Sequence, residues 1–150
     1  MEIEAKFHIP DEAMFQRLLD MTTLAGFSLG KPSVTYVHDR YLDTGDFALR
    51  NQGYACRLRK AGERYLATVK GLGEASGAIH RRTELEIELA EPLPPNQWPE
   101  SDLRDLVLRL SGDEPLAVLF EIEQVRHCRP VRDSDRALAE LNLDRVRARS

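Results

Sequence analysis

Cysteine is scarce in this chain of 150 residues, which holds only Cys56 and Cys128. Two thiols cannot build a disulfide framework, and neither has a second Cys or a His at zinc-site spacing, so both read as small, partly buried thiols. Long hydrophobic runs are absent too. No stretch approaches the roughly 18 to 20 apolar residues that a membrane span needs. Met1-Glu2-Ile3-Glu4 is acidic where a secretory signal is basic and then apolar. The expectation is a cytoplasmic protein with no membrane partner. There is no excess of positive charge: the net charge is -4 and the pI is near 5.6, against the basic footprint of a nucleic-acid binder. The glycine-bearing segment Gly71 to Gly77 is followed by no Gly-Lys-Ser/Thr and is no phosphate-cradling P-loop. Internal repeats and low-complexity tracts are missing.

What is present is 42% hydrophobic and 31% charged residues, the make-up of one globular domain over 1–150 with enough chain to bury a core. Lysine is rare among the cations, 4 of 21, leaving 17 arginines, whose planar fork suits phosphate and carboxylate.

Alternation from Met1 to His8 predicts a first strand, with Glu2, Glu4, Lys6 and His8 on one side. Pro10-Asp11-Glu12 predicts a helix start, and Met14, Phe15, Leu18 and Leu19 its apolar stripe, with Gly26 or Gly30 as its end. Ser33 to Asp43 is rich in β-branched and aromatic residues and reads as a strand. A turn at Thr44 to Asp46 and a short helical piece near Phe47 to Arg50 follow. Gly53 to Lys60 and Arg64 to Lys70 flank Ala61-Gly62-Glu63 as a hairpin. Ala78 to Leu89 alternates, with Arg82, Glu84, Glu86 and Glu88 on one face. Pro92 to Pro99 is a loop, Ser101 to Leu110 a capped helix with Leu103, Leu106, Val107 and Leu110 inward, and Leu116 to Val131 and Ala137 to Val146 are strands. The fold class is α+β: an antiparallel sheet or barrel with flanking helices.

The charged strand faces admit two readings. Either they meet water while the apolar faces pack, or a wide lumen is polar while helices cover the apolar outside. Glu2 with Glu4, and Glu84 with Glu86 and Glu88, are like charges at i, i+2, which repel unless cations separate them. Clustered carboxylates suit Mg²⁺ or Mn²⁺, and Arg57 with Arg59 suits a polyanion.

Glu2-Ile3-Glu4-Ala5-Lys6 resembles the ExExK motif of the CYTH superfamily, the triphosphate tunnel metalloenzymes. The likeness continues through Asp39-Arg40-Tyr41-Leu42-Asp43-Thr44, Arg57-Leu58-Arg59, Thr68-Val69-Lys70, Arg82-Thr83-Glu84-Leu85-Glu86, Phe120 to Arg126, and Leu143-Asp144. It implies an eight-stranded antiparallel barrel that hydrolyses or rearranges triphosphates with Mg²⁺ or Mn²⁺. By that resemblance Glu2, Glu4, Glu84, Glu86 and Asp144 are metal ligands, and Lys6, Arg57, Arg59, Lys70, Arg82 and Arg126 hold phosphate oxygens. Glu4 and Lys6 carry the catalytic roles, Lys6 by orienting water. The helical stripes and Trp98 are packing. His38, His80 and His127 are expected at the surface or in turns, and His8 near a tunnel mouth.

Two departures bear on this expectation. The family's sixth strand carries a basic pair spaced by two, whereas Arg126 is followed by Cys128, with Arg129 one step out of phase unless a bulge restores it. Family members also continue into another Glu-rich strand after the one with Asp144. The expectation is a domain lacking that terminal strand: either the chain is a truncated product, or the tunnel is open, with edges available for pairing with a second copy as a homodimer. Three functions follow: a metal-dependent triphosphatase acting on tripolyphosphate or another small triphosphate, a class IV-like adenylate cyclase acting on a nucleoside triphosphate, and a polyphosphate- or nucleotide-binding module without turnover.

Overall fold

The computed structural model describes residues 5–73 and 84–150. The elements run α1 (Glu12–Asp20), β1 (Thr23–Leu24), β2 (Phe27–Leu29), β3 (Ser33–Asp43), α2 (Ala48–Asn51), β4 (Tyr54–Ala61), β5 (Arg64–Gly71), β6 (Glu84–Leu89), α3 (Asp102–Ser111), β7 (Ala117–Asp133) and β8 (Arg136–Arg149). A single 3-10 turn, Pro95–Gln97, precedes α3. The eight strands form an antiparallel sheet in the order β1-β2-β7-β3-β4-β5-β6, with β8 paired to β7. Among the described residues no pairing joins the end strands, so the sheet is not closed. No helix among them is long and apolar enough to cross a membrane.

The chain divides into two compact units. One comprises Tyr36–Gln124 and Val146–Ser150, the other Met1–Thr35 and Val125–Arg145. In the first, β4 and β5 form the expected hairpin, with Cys56 opposite Val69 and Leu58 opposite Ala67. Ser101 starts α3 by accepting from the Arg104 amide at 3.1 Å, with Asp102 and Asp105 at the positive helix end. Gly112 ends it in the left-handed region, φ 61°, where a Cβ is unfavourable. The expected stripe is inward: Leu103, Val107 and Leu110 are buried against Leu49, Cys56, Leu58, Ala67, Val69 and Leu89. Trp98 joins this core, and its indole N–H donates to the Leu93 carbonyl at 2.7 Å, which removes the cost of burying that donor.

The turn after β3 is held by Asp43, which is 2% exposed. Its carboxylate accepts from the amides of Thr44 (2.8 Å), Leu49 (2.9 Å) and Arg50 (3.1 Å), while Thr44 Oγ1 accepts from the Ala48 amide at 2.9 Å. These two side chains supply hydrogen bonds that the four-residue α2 cannot supply for itself.

In the other unit, Asp11 caps α1 by accepting from the Met14 amide at 2.8 Å. The helix ends at Asp20, earlier than either glycine, and the chain turns through Ala25 (φ 50°) and Gly26 (φ 84°) as the β1–β2 hairpin. What ends α1 lies far away in sequence. Arg129, 5% exposed, donates through its guanidinium to the carbonyls of Leu18, Leu19 and Met21 at the helix end and of Leu29 and Gly30. A buried cation is tolerable here because its donors are met and it sits at the negative end of the helix dipole. Gly30 lies against Pro130: a Cβ on Gly30 would stand 2.5 Å from Pro130 Cγ.

The first strand does not form where it is described. Residues 5–10 form no strand, and Phe7 is 88% exposed. Alternation gives a strand its faces, but a strand forms only where a neighbouring strand completes the ladder. Residues 1–4 of that expected strand, and 78–83 of the later one, lie outside the described residues.

Candidate phosphate-clamp face

Register decides which side chains meet. Residues directly opposite across an antiparallel ladder point to the same face. Three cross-strand rows result: Tyr41, Arg57, Thr68 and Glu86; then Asp39, Arg59, Leu66 and Glu88; then Ala55, Lys70 and Glu84. Their neighbours one step along, Leu42, Cys56, Val69 and Leu85 or Leu58, Ala67 and Ile87, belong to or pack against the core with α3. The arginines and glutamates therefore share the sheet face turned away from the helix-packed one. A packed apolar side is common to both readings, and Glu84, Glu86 and Glu88 on the charged side are exposed.

Arg59 is locked in place. Its Nε and Nη2 donate to the two carboxylate oxygens of Asp39 at 2.7 and 2.8 Å, with the Asp39 side chain 4% exposed. A bidentate pair orients the guanidinium as well as neutralising it. Arg57, one row away, differs: its Nε is shielded from solvent and has no hydrogen-bond partner among the described residues. A buried N–H of a charged group left unmatched costs free energy until an acceptor arrives. The Glu86 carboxylate in the same row accepts from Thr68 Oγ1 at 3.2 Å, and Thr68 is 1% exposed. Lys70 Nζ lies 3.9 Å from Glu84. At the rim Arg64 forms a fork with Glu88 at 3.2 and 3.1 Å, which holds the Glu88 carboxyl below its ordinary range and raises the guanidinium.

Tyr41 stacks on Phe120 with ring centroids 4.6 Å apart and planes 14° apart. This places an aromatic pair in the row of Arg57. Beneath the face, burial and then the Asp43 carboxylate push the Cys56 thiol up to about 12, so it stays protonated at neutral pH. The Cys128 thiol is also raised, first by burial.

Glu2, Glu4, Arg82 and His80 are outside the described residues. Lys6 and His8 are exposed on the segment before α1. Arg126 and Asp144, expected to hold phosphate and metal separately, bind one another through a fork at 2.8 and 3.0 Å. Arg129 supplies no second phosphate cation, because main-chain carbonyls take its donors. His38 and His127 are in strands and half-buried, not at turns, and His127 meets the Phe15 ring edge-on at 5.8 Å. Asp39 was given no role in the sequence reading. The available signal was its alternation with Tyr41, which sets it on one face opposite a strand bearing Arg57 and Arg59.

Carboxylate oxygens are the right donors for a hard divalent cation, and Glu86 has no ion-pair partner within 4 Å among the described residues. Yet no three acidic, His or Cys side chains among the described residues are grouped to hold a metal. The donor chemistry fits, and a complete set requires carboxylates beyond these residues.

A family model described as the CYTH domain matches residues 1–149. The chain belongs to the CYTH domain family. Among solved structures it resembles HpAC1 from Hippeastrum, described as a putative adenylyl cyclase with a dominant triphosphatase activity. The TM-score is 0.55 and the identity 16%, over 91% of this chain and 75% of that one, a likeness of fold.

Proposed function

We propose that this protein is a metal-dependent triphosphatase that hydrolyses inorganic tripolyphosphate or another small triphosphate on the charged face of its sheet. The observation that carries the reading is Arg57: a shielded, unmatched guanidinium N–H beside an arginine already oriented by Asp39. Phosphoryl transfer asks the protein mainly for positioning and charge neutralisation, and cations sharing one sheet face, Arg59 already oriented by Asp39, supply both. In this proposal Arg57, Arg59 and Lys70 grip phosphate oxygens, and the family resemblance assigns the same role to Lys6, Arg82 and Arg126. Glu84 and Glu86, with Glu2, Glu4 and Asp144, would hold Mg²⁺ or Mn²⁺. Such a cation, when bound, neutralises phosphate charge and polarises water for attack. Lys6 would orient the attacking water, with Glu4 among the metal ligands. The HpAC1 likeness and CYTH membership support a triphosphate substrate, and the free thiols support a cytoplasmic location.

Phosphate release from tripolyphosphate with Mg²⁺ or Mn²⁺ tests the reading. Glu4→Gln should abolish turnover, and unchanged activity in that variant would remove the metal role. Arg57→Ala should weaken substrate binding by about 1.5–3 kcal/mol, the worth of hydrogen bonds to a charged group. The stacked Tyr41–Phe120 pair favours a second reading, a nucleoside triphosphate whose base meets an aromatic surface, with cyclisation as its reaction. Chromatography of an ATP reaction separates cyclic AMP from ADP or AMP. Binding by calorimetry with no product of either kind would mark a binding module instead.

A further inference from the structure

The opposite side of the same strands carries a second feature that the clamp does not use. Three basic side chains, His38 and Arg40 of β3 and Lys60 of β4, line a cavity of about 180 Å³ with Tyr65, Leu58 and Pro92. A water molecule's share of liquid volume is roughly 30 Å³, so the space is several times what one water fills. Lys60 is directly opposite His38 in the ladder, and Arg40 is opposite Leu58, which puts all three on the face away from Asp39 and Arg59. Their charge is only partly answered. Glu121 lies 3.4 Å from Arg40 and 3.6 Å from His38 Nε2. The second distance is beyond a hydrogen bond, and His38 Nε2 is shielded from solvent without a hydrogen-bond partner among the described residues. Lys60 Nζ stands 5.6 Å from the centre of the Tyr65 ring, a cation–π contact that leaves its three donors for another acceptor. Glu121 thus answers Arg40, while the contact of the Lys60 ammonium is the Tyr65 ring and the imidazole nitrogen stays unmatched among the described residues.

We propose that this cavity is a second anion site, separate from the clamp, that binds a small phosphate-class oxyanion. Lys60 supplies charge, His38 Nε2 and the Tyr65 hydroxyl donate to its oxygens, and Arg40 shares itself between Glu121 and the ligand. Leu58 and Pro92 form the apolar part of the wall. The residues that bracket the Asp39–Arg59 row on β3 and β4 are the ones that would hold the anion, so occupancy restrains those two strands from behind.

The test is a titration of the full chain with inorganic phosphate, without divalent metal, followed by NMR of the His38 ring and the Lys60 ammonium. The expected result is a saturable shift of both signals that persists in Arg57→Ala, where the clamp is impaired. Binding should weaken at least ten-fold in Lys60→Glu and in Arg40→Gln, with the Trp98 indole signal unmoved as evidence that the core is intact. Absence of a saturable shift overturns the proposal. So does a shift that disappears in Arg57→Ala but survives in both Lys60→Glu and Arg40→Gln, because phosphate would then bind only at the clamp.

Discussion

The unit built on β4, β5 and α3 and the unit containing α1 and Arg129 bury different chemistry. In the first, a helix stripe and a strand face share hydrocarbon: Leu103, Val107 and Leu110 against Cys56, Leu58, Ala67 and Val69. Each fully buried Leu or Val contributes about 1.5–3 kcal/mol, and no polar partner has to be found. In the second, the buried apolar residues are fewer, Phe15, Leu29, Val131 and Leu143, and a guanidinium sits among five carbonyls. Such a centre is directional. It holds only if residues 18–30 and residue 129 arrive together, whereas the hydrocarbon core tolerates small shifts.

The comparison can be broken from either side. Leu103→Ala should cost about 2–5 kcal/mol in denaturant unfolding, with the spread set by how far the cavity collapses. Arg129→Met should cost about 2–4 kcal/mol, since the lost bonds involve a charged donor and leave carbonyls unmatched. Hydrogen exchange should distinguish the two: Leu103→Ala accelerates the amides of β4 and β5, and Arg129→Met those of the last turn of α1. Arg129→Lys should recover little, because an ammonium cannot reproduce the planar fork. Asp43→Ala should follow with about 1–2 kcal/mol, the loss of a buried cap.

Smaller effects come from titration. The Cys56 thiol is raised from an ordinary 9.0 to about 12, so the folded state keeps a proton that the unfolded state releases. Its stabilising contribution is complete below about pH 9 and falls as pH rises toward 12. The difference in melting temperature between the native protein and Cys56→Ala should change over that window and stay flat below it. At the exposed rim the Glu88 carboxyl is held low by Arg64. Any stabilisation from that pair is present above the ordinary carboxylate range and is lost as pH falls through the depressed value. Arg64→Gln should return the Glu88 titration midpoint, followed by NMR, to the ordinary range with little change in unfolding.

Much of the first unit was legible in the sequence. The alternation of β4 through β6 and the period of α3 state which residues go inward, and a loop bearing Gly62 joins the hairpin in the short-range way that sequence patterns report. The candidate site was legible in part. Arg57, Arg59, Lys70, Glu84 and Glu86 were expected on one face and are found there, but Asp39 as the partner of Arg59 was not expected. The β1–β2 hairpin and the early end of α1 were missed because strands of two and three residues carry too few positions for a periodic signal.

Composition and periodicity alone determined the class of fold, the identity of the packed helix faces and the placing of opposite charges on alternating strands, because each depends on residues close in the chain. Only the tertiary structure decided how those charges are used. Asp39 finds Arg59, Arg126 finds Asp144, and Arg129 finds the end of α1 across gaps of 20, 18 and about 110 residues. An arginine fork is equally suited to carboxylate, carbonyl and phosphate. Which acceptor it meets depends on strand register and chain return, and that left Arg57 with an N–H unmatched by the described protein.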